Sequence, residues 1–241
     1  MTKHYLQLPD KNLLMRTGEV DYYNWTYQFP IKYLMRFRYK KVLDLLGEKK
    51  YDSILEAGTG SGIFLPELSK HCKELYACDI HNYFDHIASM CDQCGVKNYH
   101  LCRQSIDKTN YPDKFFDAVV ALSMLEFVPD IEKAVNEIKR ILREDGVFIT
   151  ILPMESAILD FFLSFYVRKS PKEEFSDARK KVSKVLEENF SVLKKGFLTP
   201  LVGKYFPVYT YYKLEKPVYK GSTITLTQEV SKTLKRKTPS Y

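Results

Sequence analysis

No apolar run in the 241 residues reaches the roughly 20 needed to span a membrane as a helix. No secretory hydrophobic stretch follows Met1-Thr2-Lys3-His4-Tyr5. Cysteine is scarce. The five, at 72, 78, 91, 94 and 102, are an odd number in a chain too long to need disulfide staples, which points to free thiols and a reducing compartment. Ten glycines and eleven prolines are too few for low complexity or disorder. There is no internal repeat. These absences set the expectation of a folded cytoplasmic protein without a transmembrane segment.

What is present is ordinary for a globular chain: 45% hydrophobic and 28% charged residues, enough for one large α/β domain. The net charge is +7, and Lys232, Lys235, Arg236 and Lys237 supply part of it. That balance suits anionic substrates, nucleic acid or an acidic membrane surface, and does not choose among them.

Residues 1–30 lack clear periodicity but carry Tyr5, Tyr22, Tyr23, Trp25, Tyr27 and Phe29. Pro30 suits a first helical turn. Ile31, Leu34, Met35, Val42, Leu43, Leu45 and Leu46 then recur at helical spacing up to a stop at Gly47. Residues 51–57 are short and apolar and run into a Gly-rich turn, as a buried strand does. Strands and helices then alternate. Helices are expected over 61–70, with Pro66 near the first turn or kinking it, over 83–94, ended by Gly95, and over 131–142, capped by Asp130. Strands are expected over 74–79, 98–104, 116–123 and 147–152, the last preceded by an Asp145-Gly146 turn. Such alternation implies a parallel sheet with helices on both faces and right-handed crossovers, a doubly wound α/β fold.

After Pro153 the rhythm changes. Residues 158–167 are strongly apolar and aromatic, either a buried helix covering the sheet or a lid over a hydrophobic acceptor. A charged helical stretch spans 171–188. Two β-rich segments follow, over 190–197 and 206–214. The second puts Val208, Thr210 and Tyr212 on one side and Tyr209, Tyr211 and Lys213 on the other, and the pair fits a hairpin at one sheet edge. The expected organisation is an aromatic-rich lid and helix over 1–48, the main domain over 49–218 with a helical insertion near 156–188, and a basic tail over 219–241.

The strongest chemical signal is Glu56-Ala57-Gly58-Thr59-Gly60-Ser61-Gly62, between an expected strand and an expected helix. Alternate glycines let the backbone turn tightly and a ligand lie against it. A helix following at once would aim its free N–H groups at that ligand. Ile63 stands where a dinucleotide fold wants its third glycine, and Glu56 would repel phosphates while pairing with a cation. Both favour a ligand without a pyrophosphate over NAD. The second signal is Tyr76-Ala77-Cys78-Asp79-Ile80. An acid closing the second strand about 20 residues after the loop can accept both ribose hydroxyls. Asp79 is also placed to cap the next helix.

Here the chain resembles the class I, Rossmann-like SAM-dependent methyltransferases of the broad small-molecule branch, over roughly residues 40–153. The resemblance rests on ILEAGTGSG, YACDI, FFDAVVALSMLEFVPD and LREDGVFITILP. It implies a seven-stranded sheet of order 3-2-1-4-5-7-6 with the last strand antiparallel. It implies that Glu56, Gly58, Thr59, Gly60 and Gly62 line the methionine end of S-adenosyl-L-methionine (SAM), with S-adenosylhomocysteine (SAH) as product. By the same resemblance Asp79 would hold the ribose and Ile80 would pack on the adenine. The end of the third strand, where the family has an Asp near the adenine amine, offers Ser105 with Ile106, or Asp107 in a shifted register. Leu122 and Ser123 would lie near the sulfonium. The family's Leu-Glu-His reads Leu125-Glu126-Phe127 here, so no His base stands at that turn.

The expected reaction is direct displacement at an already activated methyl, in which the protein aligns and desolvates the reactants. A base is needed only if the acceptor loses a proton. His81 and Tyr22 or Tyr23 are candidates, and Tyr22 and Tyr27 could cover SAM from the N-terminal segment. Cys91-x-x-Cys94, near His86, His100 and Cys102, looks like half a zinc site, but no second CxxC exists and the pair ends a helix, so no metal is expected. Three functions follow. They are methyl transfer to a small hydrophobic or lipid-like acceptor, methyl transfer to RNA or protein, and a non-catalytic scaffold. The absence of an Asn-Pro-Pro-Tyr motif and of a catalytic Cys for C5 methylation counts against the second.

Overall fold

The computed structural model describes residues 6–19, 21–154, 176–198 and 208–217. The expected apolar lid over 158–167, the start of the charged helix and the basic tail over 219–241 lie outside the described residues.

Seven strands form one sheet: β1 (Tyr51–Ala57), β2 (Cys72–Asp79), β3 (Tyr99–Arg103), β4 (Phe116–Leu122), β5 (Leu142–Pro153), β6 (Ser191–Leu198) and β7 (Tyr209–Glu215). Their order is β3-β2-β1-β4-β5-β7-β6. β1 to β5 run parallel, and β7 runs antiparallel to both β5 and β6. This is the order that the resemblance implies. The helices are α1 (Lys32–Leu46), α2 (Leu65–Leu68), α3 (Phe84–Gln93), α4 (Ile131–Ile141) and α5 (Ser176–Asn189).

The central strands read as continuous apolar runs because both their faces are covered. On β4, Ala118 and Val120 join one core layer with Val42, Leu43, Leu65, Ile87 and Met90. Val119 and Ala121 join the other with Val135, Ile138, Leu186 and Tyr212. α4 shows how local sequence sets an element. Asp130 caps it by accepting the Lys133 N–H at 3.1 Å. Ile131, Ala134, Val135, Ile138 and Ile141 make the single stripe that it buries.

Two elements differ from the expectation. The helix after the Gly loop starts at Leu65 and lasts four residues, not from residue 61. Its Pro66 lacks an N–H and tolerates only the first turn. The Gly62 N–H already donates to the Thr59 carbonyl at 2.9 Å, which holds the preceding segment in a turn. β5 starts at Leu142 instead of Val147. Its register against β4 jumps from Phe116↔Leu142 to Ala118↔Val147, so the Asp145-Gly146 pair sits in a bulge inside the strand rather than in a turn before it.

β1 lies between β2 and β4, so connections leave it toward opposite faces of the sheet. Such a reversal opens a crevice beyond the carboxyl ends of the strands, the usual ligand site of open α/β sheets.

Candidate cofactor and acceptor site

A cavity of about 700 Å³ occupies that crevice, a volume within the roughly 300–1,000 Å³ of small-molecule sites. Glu56, Gly58, Thr59, Gly60, Asp79, Ile80, His81, Ser105, Ile106, Leu122 and Tyr22 all line it. Two residues singled out for the cofactor do not. Gly62 faces away from the cavity at φ +75°, where an added Cβ would come within 2.8 Å of Ile87, so its role is to let α3 pack against the loop. Tyr27 turns from the cavity and donates its hydroxyl to the Pro9 carbonyl. Ser105 lines the cavity, whereas Asp107 does not.

The loop spends most of its own amides on structure. The Gly58 and Thr59 N–H groups both donate to the Cys78 carbonyl, at 2.9 and 3.3 Å. Gly60 N–H donates to Asp79 Oδ2 at 2.8 Å. With α2 so short and starting so late, the cradle of free N–H groups expected from a following helix is not formed here. A pyrophosphate would find few donors and several carboxylates, which strengthens the case against a dinucleotide. Gly60 itself, at φ +52°, walls the cavity, and a Cβ there would meet only the Asp21 carboxylate, from 3.7 Å.

Asp79 does not cap α3, whose cap position is Tyr83. Its Oδ1 accepts the Ile80 N–H at 2.7 Å and its Oδ2 the Gly60 N–H. A carboxylate offers about four lone-pair sites, so acceptor capacity is left for two hydroxyls. His81 Nδ1 accepts the Tyr83 N–H at 3.2 Å, which leaves Nε2 to carry the proton and donate to the Gly60 carbonyl at 2.9 Å. Both ring nitrogens are thus engaged in bracing the loop. This geometry does not suit His81 to general-base work.

Glu56 is 3% exposed and accepts the Thr59 hydroxyl at 2.9 Å. Burial first, then the charge of Asp79, pushes its pKa from 4.5 up to about 8, against the opposing Thr59 bond. Glu56 is therefore mostly protonated at neutral pH, and a cation beside it would pull it to the charged form.

Four charged residues that sequence reasoning did not place here also line the cavity: Glu19, Asp21, Arg38 and Glu126. Asp21 accepts the Thr17 N–H and hydroxyl at 3.1 and 3.0 Å and the Tyr23 N–H at 3.1 Å. Burial is the main cause that raises its pKa, and Asp79 adds to it. Arg38, on the inner face of α1, is 8% exposed and donates from Nη1 to Ser123 Oγ at 2.9 Å. Its guanidinium lies 5.1 Å from the Tyr209 ring centroid, and its buried Nε has no hydrogen-bond partner among the described residues. Ser123 has φ +50°, a conformation uncommon outside glycine, directly after β4. The helical period of α1 could have flagged Arg38 as a cation on an otherwise apolar face. Nothing local flags Asp21.

Ile31, Leu34, Met35, Met124, Phe127 and Tyr209 add apolar side chains to a wall that also includes Thr17, Ser61, Gln104 and Glu126. Tyr22 stacks on Trp25 at 4.3 Å, both in the lining. The CxxC pair splits, with Cys91 buried in α3 and Cys94 exposed. Burial pushes the Cys91 thiol up to about 12. Among the described residues no group of three His, Cys, Asp or Glu side chains could hold a metal.

An open, mostly parallel sheet with carboxylates around a nucleoside-sized crevice is the arrangement of a cofactor-binding α/β domain. Residues 55–150 match the family model described as a methyltransferase domain. The chain is 26% identical over 114 residues to an uncharacterized methyltransferase, YcgJ, of Bacillus subtilis, covering 46% of this chain and 45% of that one. It is 29% identical over 100 residues to a phosphatidylethanolamine N-methyltransferase of Cereibacter sphaeroides, covering 41% and 49%. These matches span about half the length of those curated relatives. A crystal structure of a SAM-dependent methyltransferase from Aquifex aeolicus shares the fold at TM-score 0.59 and 22% identity, over 74% of this chain and 89% of that one. Over residues 55–150 the chain is thus similar to methyltransferase domains, and its sheet has the strand order of the Rossmann-like methyltransferase fold.

Proposed function

We propose that this chain transfers the methyl group of SAM to a small hydrophobic or lipid-like acceptor. The observation that carries the reading is that one cavity brings the carboxylates of Glu56, Asp79 and Asp21 and the Arg38 guanidinium together with the apolar side chains of Leu34, Met35 and Phe127. The residues present fit SAM. Asp79 accepts the ribose hydroxyls. Ile80, Ile106 and Ser105 border the adenine, and Leu122 lies near the sulfonium. Glu56 and Asp21 oppose the ammonium of the methionine moiety, and Arg38 takes its carboxylate. When bound, SAM would supply a methyl group on a cationic sulfur for in-line transfer to a nucleophile of the acceptor, with SAH as the leaving group.

The protein's part is alignment and exclusion of water. Leu34, Met35 and Phe127 add apolar surface to the wall, which helps to exclude water. His81 and Arg38 are held by hydrogen bonds, so the cavity presents fixed dipoles and charges before the reactants arrive. The name of the phosphatidylethanolamine methyltransferase relative supports a lipid-like acceptor.

The test is to incubate the protein with methyl-labelled SAM and a total cell extract, then separate lipids and small organics from RNA and protein. The expected result is label in the organic phase. Label confined to RNA or protein would overturn the acceptor class.

A further inference from the structure

We propose that the outer face of α1 docks on an anionic lipid bilayer. This deepens the reading above and rests on its lipid-like acceptor. Phe29, Tyr33 and Phe37 recur at i, i+4 and i+8, so they form one stripe along the helix and the turn before it. They are 74%, 53% and 39% exposed. Phe29 and Tyr33 meet edge to face at 6.2 Å. Water-facing aromatics in such a row are costly for a surface that stays in water, and a contiguous exposed apolar patch marks an interaction site.

A second row has the same spacing. Lys32, Arg36 and Lys40 flank the stripe, and Lys32 Nζ sits 5.3 Å from the Tyr33 ring centroid. Aromatics beside a line of cations on one helix are the pattern of a helix lying in a membrane interface, where rings enter the headgroup region and cations meet anionic lipid. The charge row favours an anionic surface over a neutral one and over a second copy of the same basic face.

The placement gives the stripe a function. Leu34, Met35 and Arg38 line the cavity from the opposite, inner face of α1, and Ile31 lines it from the turn before the helix. Phe127 and Ile80 line it too and stand 42% and 68% exposed at its rim. A bilayer held on the outer face of the helix that walls the cavity would keep the protein at the surface where an amphiphilic acceptor is concentrated.

The experiment is sedimentation of the full chain with vesicles of phosphatidylglycerol and phosphatidylcholine in equal parts, and with phosphatidylcholine alone. The account expects binding to the anionic vesicles that weakens with added salt. A triple variant, Phe29→Ser, Tyr33→Ser and Phe37→Ser, should lower the partition coefficient by about a hundredfold. Lys32→Glu, Arg36→Glu and Lys40→Glu together should abolish the preference for anionic lipid. None of the six residues lines the cavity, so SAH should still raise the melting temperature of both variants, which shows that they are folded. No binding of the wild-type chain, or unchanged binding of both variants, would overturn the proposal. So would a dimer of the wild type that either variant dissolves, since the face would then serve self-association. Failure here is separable from failure of the acceptor reading. Methylation of lipid in detergent without vesicle binding rejects only the docking, and vesicle binding without lipid methylation rejects only the acceptor.

Discussion

Asp79→Ala should weaken SAH binding by about 10²–10⁴-fold while leaving the chain folded. The range follows from two lost hydrogen bonds to a charged acceptor at roughly 1.5–3 kcal/mol each. The reading assigns both ribose hydroxyls to this carboxylate. The same side chain also fixes the loop, through the Gly60 N–H on one oxygen and the Ile80 N–H on the other. Ala therefore removes a ligand contact and a loop brace together. Asp79→Asn separates them, because its amide oxygen can still accept the Gly60 N–H but its charge is gone. It should bind SAH more tightly than the Ala variant and more weakly than the wild type. Gly60→Val acts at the other end of the brace. A β-branched residue at φ +52° is strained, and its side chain would enter the cavity toward Asp21. Isothermal calorimetry with SAH, beside circular dichroism for folding, checks all three variants. Normal affinity in Asp79→Ala would remove Asp79 from the site.

Glu56→Gln should do two opposite things: stabilise the empty protein at alkaline pH and weaken SAH binding at least tenfold. Glu56 holds its proton up to about pH 8 when folded, against 4.5 as its ordinary value. Between those values the folded state binds more protons than the unfolded one. The contribution of this group is therefore most favourable below about pH 4.5 and declines as pH rises toward 8, by up to about 1.4 kcal/mol per pH unit. Above that the charged carboxylate stays buried at full cost. Gln can still accept the Thr59 hydroxyl but carries no charge, so it removes the decline. Asp21, whose pKa is also raised by burial, gives a slope of the same sign. The informative quantity is thus the difference between variant and wild type across pH 5–9, not the wild-type slope.

The binding half of this prediction follows from the same proton. Pairing with the ammonium of the ligand requires Glu56 to be charged, so wild-type affinity should fall as pH drops below 8, with proton uptake by the buffer on binding. In Glu56→Gln that dependence should shrink. Thermal melts with and without SAH, and calorimetry in two buffers of different ionisation enthalpy, read both effects. A variant that is less stable than the wild type at pH 9, or that binds SAH normally, would contradict the assignment.

Much of this architecture was legible because its signals are local. The strand from 51 to 57 ends on glycines with φ values only they adopt readily, and the acid at 79 follows at the spacing a βαβ unit dictates. Sheet order came from resemblance, not from periodicity. The failures have physical causes. The helix after the loop was drawn too long because apolar spacing cannot register that turn hydrogen bonds hold the chain as far as Leu65. The start of β5 was missed because a bulge around Asp145-Gly146 looks like a turn in sequence. Tyr27 was placed at the cofactor because it sits in an aromatic segment without periodicity, where nothing states which rings turn inward. Arg38 carries a signal in the helical period of α1, as a cation on an apolar face, whereas Asp21 reaches the cavity only through tertiary packing and is revealed only by the folded chain.

The most direct test of the central claim is calorimetric titration of the protein with SAH, with NAD as the control. The account predicts saturable one-to-one binding of SAH, lost in Asp79→Ala, and no binding of NAD. A ligand at about 100 times its dissociation constant also adds roughly 2.7 kcal/mol to stability, so melting curves would report the same event independently. Binding of NAD in place of SAH, or of neither at high concentration, would contradict the assignment of this cavity to SAM.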